Sequence, residues 1–494
     1  MVKARTHNMR TGHRQVFMIL VVILTSVDTA SDCVYQECMC DDNFVSCSSL
    51  GLTAIPPLRP PGEVPLTDLQ FDINHITLVP AGSLPANLSQ ITFTDNPIQA
   101  IDDNAFIGSA NTLQTLALTF APHSRIPDAL LQLKALTFFE VYDTVVGDWN
   151  ENVMKYLAPK LQSLSLGNVS LPTLPDWIQY CSQMSDLTIV NCFLKSIPDH
   201  ALDAMAGSLI SLSLTGNNLT AVPKAISTFT NITDLYLDSN KITDLQWLPK
   251  RCRLDTLALN NNKLSNGSQL SEALKPFAEF LSDLDLVSNE LTAIPDLHFL
   301  TLTGLDFSFN RISDLNAGSL PPDLRELNLE YNLLIAVPRV VMSLKSLKSL
   351  LMASNLLTHV QASTIPSTLQ YLGVEHNQVT ELTDTSFPEN SSLRYLYLNN
   401  NPISKISDLA FQNLVKLHEL HMSGTRLTRL PMGLSSLHKI TTLDVSDISP
   451  LVCTCMEKDL KTWIVNMKSE NVLGNCGLTS VYNFFSLLSP SCPG

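Results

Sequence analysis

The chain has 494 residues, 45% of them hydrophobic and 16% charged, with 31 Lys and Arg against 46 Asp and Glu for a formal charge of −15. That much apolar material excludes a disordered chain. The acidic balance excludes nucleic acid as a natural partner, because phosphate binding needs a basic stripe; it suits basic proteins or cations.

Residues 1–31 read as a secretory signal peptide: Lys3, Arg5, Arg10 and Arg14 precede an apolar run from Val16 to Leu24, followed by the small residues Thr29, Ala30 and Ser31. That run falls well short of the roughly 20 residues a membrane span needs. Without residues 1–31 the chain keeps 27 Lys and Arg against 45 Asp and Glu, a formal charge of −18. Cys33, Cys38, Cys40 and Cys47 follow, packed within 15 residues.

Leu209 to Leu219 reads LISLSLTGNNL and fits L-x-x-L-x-L-x-x-N-x-L at every fixed place. Used as a ruler, it finds starts at Leu66, Leu88, Leu113, Leu136, Leu161, Met184, Leu209, Ile232, Leu254, Leu281, Leu302, Leu324, Leu347, Leu369, Leu393, Leu417 and Ile440, 17 units with steps of 21 to 27 residues. This period and consensus are the signature of a leucine-rich repeat solenoid, one short parallel strand per unit. Such a stack needs no single globular centre.

Each unit alternates. In Ile232 to Ile242, Leu235 and Leu237 are expected inward while Asp234, Tyr236 and Asp238 face out, since neighbouring strand residues point to opposite sides. Place nine is Asn in 11 of the 17 units, an amide suited to satisfy backbone groups where the strand turns. The exceptions are Ala121, Thr144, Val169, Cys192, Thr425 and Ile448, the first four in consecutive units. Either the scaffold tolerates drift there, or repeats three to six are locally distorted and form a kink or a partner site.

Pairs such as Ile197-Pro198, Val222-Pro223 and Val337-Pro338 mark the return segments as extended or turn-like with at most short helices. Cys181, Cys192 and Cys252 stand apart from the terminal clusters. Coils about 4.8 Å apart keep Cys252 from Cys181. A Cys181–Cys192 bridge and three buried free thiols both remain open. Six glycosylation triplets begin at Asn87, Asn168, Asn218, Asn231, Asn266 and Asn390, with Asn168 and Asn218 crowded by the ladder place. At the far end come Cys453, Cys455, Cys476 and Cys492, with Leu460, Trp463, Ile464 and Met467 spaced as a helix whose Trp463 is expected to plug the core.

From Cys33 to Cys492 the chain resembles extracellular leucine-rich repeat proteins with cysteine-rich N- and C-terminal caps, such as Toll-like receptor ectodomains, matrix leucine-rich proteins and neuronal adhesion receptors. The resemblance implies pairing of first with third and second with fourth: Cys33–Cys40, Cys38–Cys47, Cys453–Cys476 and Cys455–Cys492. It also implies a parallel sheet on a concave face, with extended, 3-10 or short helical segments on the convex one. The expected organisation is a signal peptide over 1–31, an N-terminal cap over 32–64, repeats over 65–448 and a C-terminal cap over 449–494.

No catalytic motif is present, and no cofactor or metal is expected. His418, Glu419 and His421 invite comparison with a zinc protease helix, but the spacing is wrong and the setting is a strand. The expected ligand surface is the outward strand face of repeats eight to twelve: Asp234, Tyr236, Asp238, Asp283, Asp285, Asp306, Glu326 and Glu330, with Phe309 and Tyr331 at the strand exits. Asp285 and Asp306 fall in one column, where like charges repel. A second cluster holds Tyr371, Tyr395, Tyr397, Arg394, His376 and His421, with Tyr371 and Tyr395 expected to stack. Phe138, Glu140 and Tyr142 make a smaller patch in repeat four.

The function expected is a secreted or cell-surface scaffold binding an extracellular, basic protein ligand. The alternatives are the ectodomain of a transmembrane receptor whose anchor is missing from this chain and, last, a secreted hydrolase. Dimerisation through the curved face also remains open.

Overall fold

The structure, a computed structural model, describes residues 33–41, 43–59 and 66–487. The expected signal peptide and Cys492 lie outside the described residues. Two compact units divide the chain, one ending at Leu257 and one beginning at Ala258.

In the first unit, Met39–Asp41 folds back antiparallel on Phe44–Ser46, and from there every ladder is parallel. The strands run on through Asp68–Gln70, Gln90–Ile98, Thr115–Phe120, Phe138–Tyr142, Ser163–Gly167, Asp186–Val190, Ser211–Ser213 and Asp234–Tyr236. The second unit repeats the pattern from Asp283–Asp285 to Val472–Leu473. In its strands Leu305, Leu327, Leu350, Leu372, Leu396, Leu420 and Leu443 pair in one column and are all buried. Burying each such side chain stabilises by roughly 1.5–3 kcal/mol. One coil alone cannot do so, and stacking supplies the cover.

All 11 ladder asparagines are buried. Asn217 shows their work: Nδ2 donates to Ile189 O at 2.7 Å and Leu214 O at 2.9 Å, while Oδ1 accepts from Cys192 N at 3.1 Å and Leu194 N at 3.0 Å. One amide thus ties its own turn to the coil before it.

Repeats three to six, which lack the amide, differ in a definite way. Their strands are five or six residues long, where the later repeats have three. Pairing continues through Tyr142, Gly167 and Val190, so strand-to-strand bonds take over what the amide does elsewhere. Of the two readings left open for these repeats, drift or a local kink or partner site, what is seen is a lengthened ladder.

The return side carries 3-10 turns, several capped by the expected prolines: Pro127, Pro175, Pro223, Pro338 and Pro431 each precede one. Proline holds φ near −65° and lacks the N–H that a helix start leaves unpaired. Two return segments are α-helical, Glu151–Leu157 and Gly267–Leu274, the second capped by Asn266, whose side chain accepts from Gln269 N at 3.1 Å.

Sulfur closes both described ends. Cys33 is bonded to Cys40, Cys38 to Cys47, and Cys453 to Cys476. Beneath the first pair, Tyr35 is fully buried, with its ring against Phe71 at 5.5 Å and its hydroxyl on Ser83 O at 2.6 Å. At the other end Leu460, Ile464 and Met467 are buried. Trp463 departs from its expected place: it is only half-buried, and its indole N–H donates to Leu437 O at 3.0 Å. An indole in a sealed core would lack that acceptor, so it sits where the carbonyl is. Sequence reading missed Arg429, whose Nε lies 2.5 Å from Glu457 Oε1 and joins this end to the last repeats.

Cys181, Cys192 and Cys252 are free and buried. Burial pushes their thiols up, to about 12 for Cys181 and about 11 for the other two. A thiol reagent at pH 8 should therefore label none of the three in the native protein and all three in denaturant. Rapid native labelling of any one would contradict the packing.

Candidate functional site

The outward places of each strand are the third, fifth and seventh of its repeat. Across the eight repeats from Leu281 to Ile440 these places hold Asp283, Asp285, Asp306, Glu326, Glu330, Glu375, Glu419 and Asp444, and not one Lys or Arg. Asp234, Tyr236 and Asp238 occupy the same places on Asp234–Tyr236 and its exit, in the first unit. The other ten expected ligand residues belong to the second.

Asp285 and Asp306 are direct partners on adjacent strands. Asp306 is steadied by donors: Asn328 Nδ2 at 3.0 Å and Ser308 N at 2.7 Å. Glu330 is partly buried near Asp306, and burial first and that carboxylate second raise it above the usual range.

Phe309 and Tyr331 stack face to face at 4.2 Å with their planes 9° apart, each 50% exposed. Both have left-handed backbone, with φ of 56° and 53°. Place eight adopts this conformation repeat after repeat, as at Ser239, Ser288, Ser354, His376 and Asn400. Short polar residues tolerate it best, and a bulky ring there is the exception. Leu333 and Ile335 of the Tyr331 repeat and Leu356 of the next are exposed as well. Asn, Asp, Ser and Gly fill most of these places, as at Asp95, Asp143, Asn191, Gly216, Gly424 and Asp447, so the two rings stand where the sequence pattern favours small polar residues.

The second cluster is arranged differently from expectation. Tyr371 and Tyr395 are register partners, yet their rings lie tilted with centroids 6.3 Å apart. Tyr371 instead stacks diagonally on Tyr397 at 5.0 Å, and Tyr397 on His421 at 4.5 Å. The cause is Gly373, the register partner of Tyr397. A Cβ there would stand 3.3 Å from Tyr371 Cε1 and 2.9 Å from Glu375 Oε2, so its absence leaves the hollow both side chains use. His376 and Arg394 are exposed outside this stack.

His421 Nδ1 is 3.4 Å from Asp444 and Nε2 is 3.5 Å from Glu419. Burial opposes its charge, but the two carboxylates prevail and raise its pKa. Glu419 also accepts from the Tyr397 hydroxyl at 3.3 Å. Next to the stack, burial pushes Glu375 up to about 7. His418 turns to Lys416 O instead, so the two histidines of the protease-like string do not converge.

Of the glycosylation triplets, Asn87, Asn168, Asn231, Asn266 and Asn390 are exposed and Asn218 is half-buried. Asn168 Nδ2 is engaged by Asp143 at 2.6 Å. In repeat four, Tyr142 lies over Gly167 with its hydroxyl 2.8 Å from Ser165 Oγ, and Phe138 is exposed.

Comparison with known proteins gives the same pattern. The leucine rich repeat family model matches residues 182–242, 367–427 and 393–447. Keratocan of Gallus gallus is 25% identical over 323 residues, 62% of this chain and 79% of that protein. Podocan-like protein 1 of Homo sapiens is 30% identical over 229 residues, 44% of this chain and 40% of its own length. Among solved structures, the Toll–Spatzle complex from Drosophila superposes with TM-score 0.63 at 17% identity, covering 91% of this chain and 68% of that one. A leucine-rich repeat protein of Leptospira interrogans superposes with TM-score 0.55 at 24% identity, covering 74% and 97%. The leucine columns, asparagine ladder and disulfide-bonded ends, together with these matches, place the chain among the leucine-rich repeat proteins with cysteine-rich ends.

Proposed function

We propose that the chain is a secreted or cell-surface scaffold that holds a basic protein ligand on the strand face of its second unit. One observation carries this reading: eight outward carboxylates over eight consecutive repeats, without one outward Lys or Arg. A face so weighted to acid at these places, with Arg325, Lys348 and Arg394 only at the flanking second place, draws an oppositely charged partner and repels acidic ones. The stacked Phe309–Tyr331 pair supplies the apolar anchor that charge alone lacks, because aromatic side chains dominate interface energetics. Disulfides at both ends suit an oxidising, extracellular setting. The Drosophila Toll structure, which shares the fold, is of a complex with Spatzle.

The test uses the secreted protein as bait for extracellular proteins, with two variants. Asp283→Lys, Asp285→Lys and Asp306→Lys combined should weaken capture of the ligand by more than about tenfold at low salt. Phe309→Ala with Tyr331→Ala should weaken it by at least about as much, through lost anchoring. Capture unchanged in both variants overturns the assignment of this face.

A further inference from the structure

The second place of each repeat lies at the edge of the strand side, where neighbouring coils are tied backbone to backbone. Lys348 N donates to Arg325 O, Gln370 N to Lys348 O, Arg394 N to Gln370 O and His418 N to Arg394 O, each at 2.8 Å. Residues at this place therefore stand in single file, one per coil. Further along, the cation moves to the place just before the repeat starts, where Lys416 and Lys439 precede Leu417 and Ile440. Lys416 Nζ lies 3.5 Å from Ser392 Oγ, two residues before Arg394, which brings its charge back along the file. From Arg325 to Lys439, five of six consecutive coils carry one of these cations.

The fold does not require charge there. In the first unit the same file holds Thr67, Ser89, Gln114, Thr137, Gln162 and Ser185, joined by the same backbone bonds and all uncharged. Arg325, Lys348, Arg394, Lys416 and Lys439 are exposed, and none forms an ion pair among the described residues. The nearest carboxylates on the outward face are Glu326, beside Arg325, and Glu419, which already serves Tyr397 and His421.

These dimensions select the partner. A stable protein interface covers roughly 800 Å² on each side. Laid on this file, a footprint of that width would also cover the outward carboxylates, which repel an acidic protein. A thin chain avoids them. At strand spacing the file is about 24 Å long, so its occupant must be linear and carry negative charge at intervals along its length. Ser346, Thr368, Gln370 and Ser392 stand between the cations, suited to sugar hydroxyls. The file holds no Phe, Tyr or Trp on which bases could stack.

We propose that this file is a docking edge for a linear sulfated polysaccharide of the glycosaminoglycan class, its sulfates pairing with guanidinium and ammonium groups one coil after another. The proposal goes beyond the acidic face and takes from that reading only its extracellular setting. It makes the second unit a scaffold with two adjoining surfaces of opposite sign.

The experiment measures binding of the intact protein to immobilised heparin over a range of salt, with desulfated heparin, polyglutamate and oligothymidylate as the other probes. The parent should bind heparin at least about tenfold more tightly than any of the three. Arg325→Gln, Lys348→Gln and Arg394→Gln combined should weaken heparin binding by about tenfold or more and lower the slope of log affinity against log salt by about 2 to 3. Glutamine is the residue the file already accepts at Gln370. Exposed side chains without partners cost little to replace, so this variant should melt with the parent. The control, Lys134→Gln with Lys195→Gln and Lys250→Gln, makes the same change in net charge at exposed places outside the file, and should leave the slope unaltered. The protein with Asp283→Lys, Asp285→Lys and Asp306→Lys should keep heparin while losing its protein ligand, which tells failure of the one reading from failure of the other. No heparin binding by the parent, equal weakening in the file and control variants, or tighter binding of desulfated heparin, polyglutamate or oligothymidylate than of heparin would each overturn the proposal.

Discussion

Replacing Asn332 with alanine is expected to destabilise the second unit by about 3–4 kcal/mol, a large effect for a side chain of that size. Asn332 Nδ2 donates to Phe307 O at 2.9 Å and Leu329 O at 3.2 Å, and Oδ1 accepts from Ile312 N at 2.9 Å. Alanine leaves those backbone groups buried and unpaired, and no water-sized exit is needed to see the cost. Asn332→Asp should be worse still at pH 7, because a carboxylate only accepts and would face two carbonyl oxygens. The comparison is Asn328→Ala, four residues away on the outward face, which touches Asp306 and should cost under about 1 kcal/mol. Urea unfolding of the three variants checks the ranking. Equal midpoints for Asn332→Ala and Asn328→Ala would remove the ladder as the element that couples one coil to the next.

Glu375→Gln is expected to stabilise the protein by about 2–3 kcal/mol at pH 8 and by close to nothing at pH 4. The sign follows from the direction of the shift. The folded carboxyl titrates at about 7, above its ordinary 4.5. The native state therefore holds a proton that the unfolded chain has lost, and its stability falls as pH rises from about 4.5 to about 7. Glutamine keeps the shape without the charge, and its N–H can serve Asn399 Oδ1. Thermal unfolding across pH 4 to 8 measures the difference. A constant offset at every pH would mean that folding leaves the Glu375 carboxyl's titration unchanged, which contradicts its burial. His421, also raised, acts in the same sense and favours the fold at low pH, whereas the lowered Asp444 carboxyl acts in the opposite sense and favours it above the acid range.

The architecture was legible because its cause is periodic. Leucine at fixed intervals can be buried only by stacking, so Leu305 and Leu327 announce the sheet before any coordinate does. The asparagine column was legible for the same reason. What escaped was whatever depends on an empty place or a torsion. Gly373 reads as a gap in a list of side chains, yet that gap lets Tyr371 lean past Tyr395 onto Tyr397. Glu375 was not singled out in the sequence at all, because its burial depends on the hollow left at Gly373. The left-handed backbone of Phe309 and Tyr331 escaped because rings are the exception at a place mostly filled by Asn, Asp, Ser and Gly. Trp463 was misplaced because its spacing reports a helix face, while its indole N–H follows a carbonyl of another repeat. Repeats three to six showed the loss of the amide but not its replacement by longer strands.

The central claim is that the protein's ligand rests on the strand side of the second unit, and side-chain footprinting by hydroxyl radicals tests it most directly. The protein is labelled alone and with its captured ligand, and oxidation is read residue by residue. Phe309, Tyr331 and Tyr397 should be protected in the complex, while Leu409 and Val415, exposed outside the outward strand places, should oxidise as before. Protection of Leu409 and Val415 with Phe309, Tyr331 and Tyr397 left fully reactive would contradict the account.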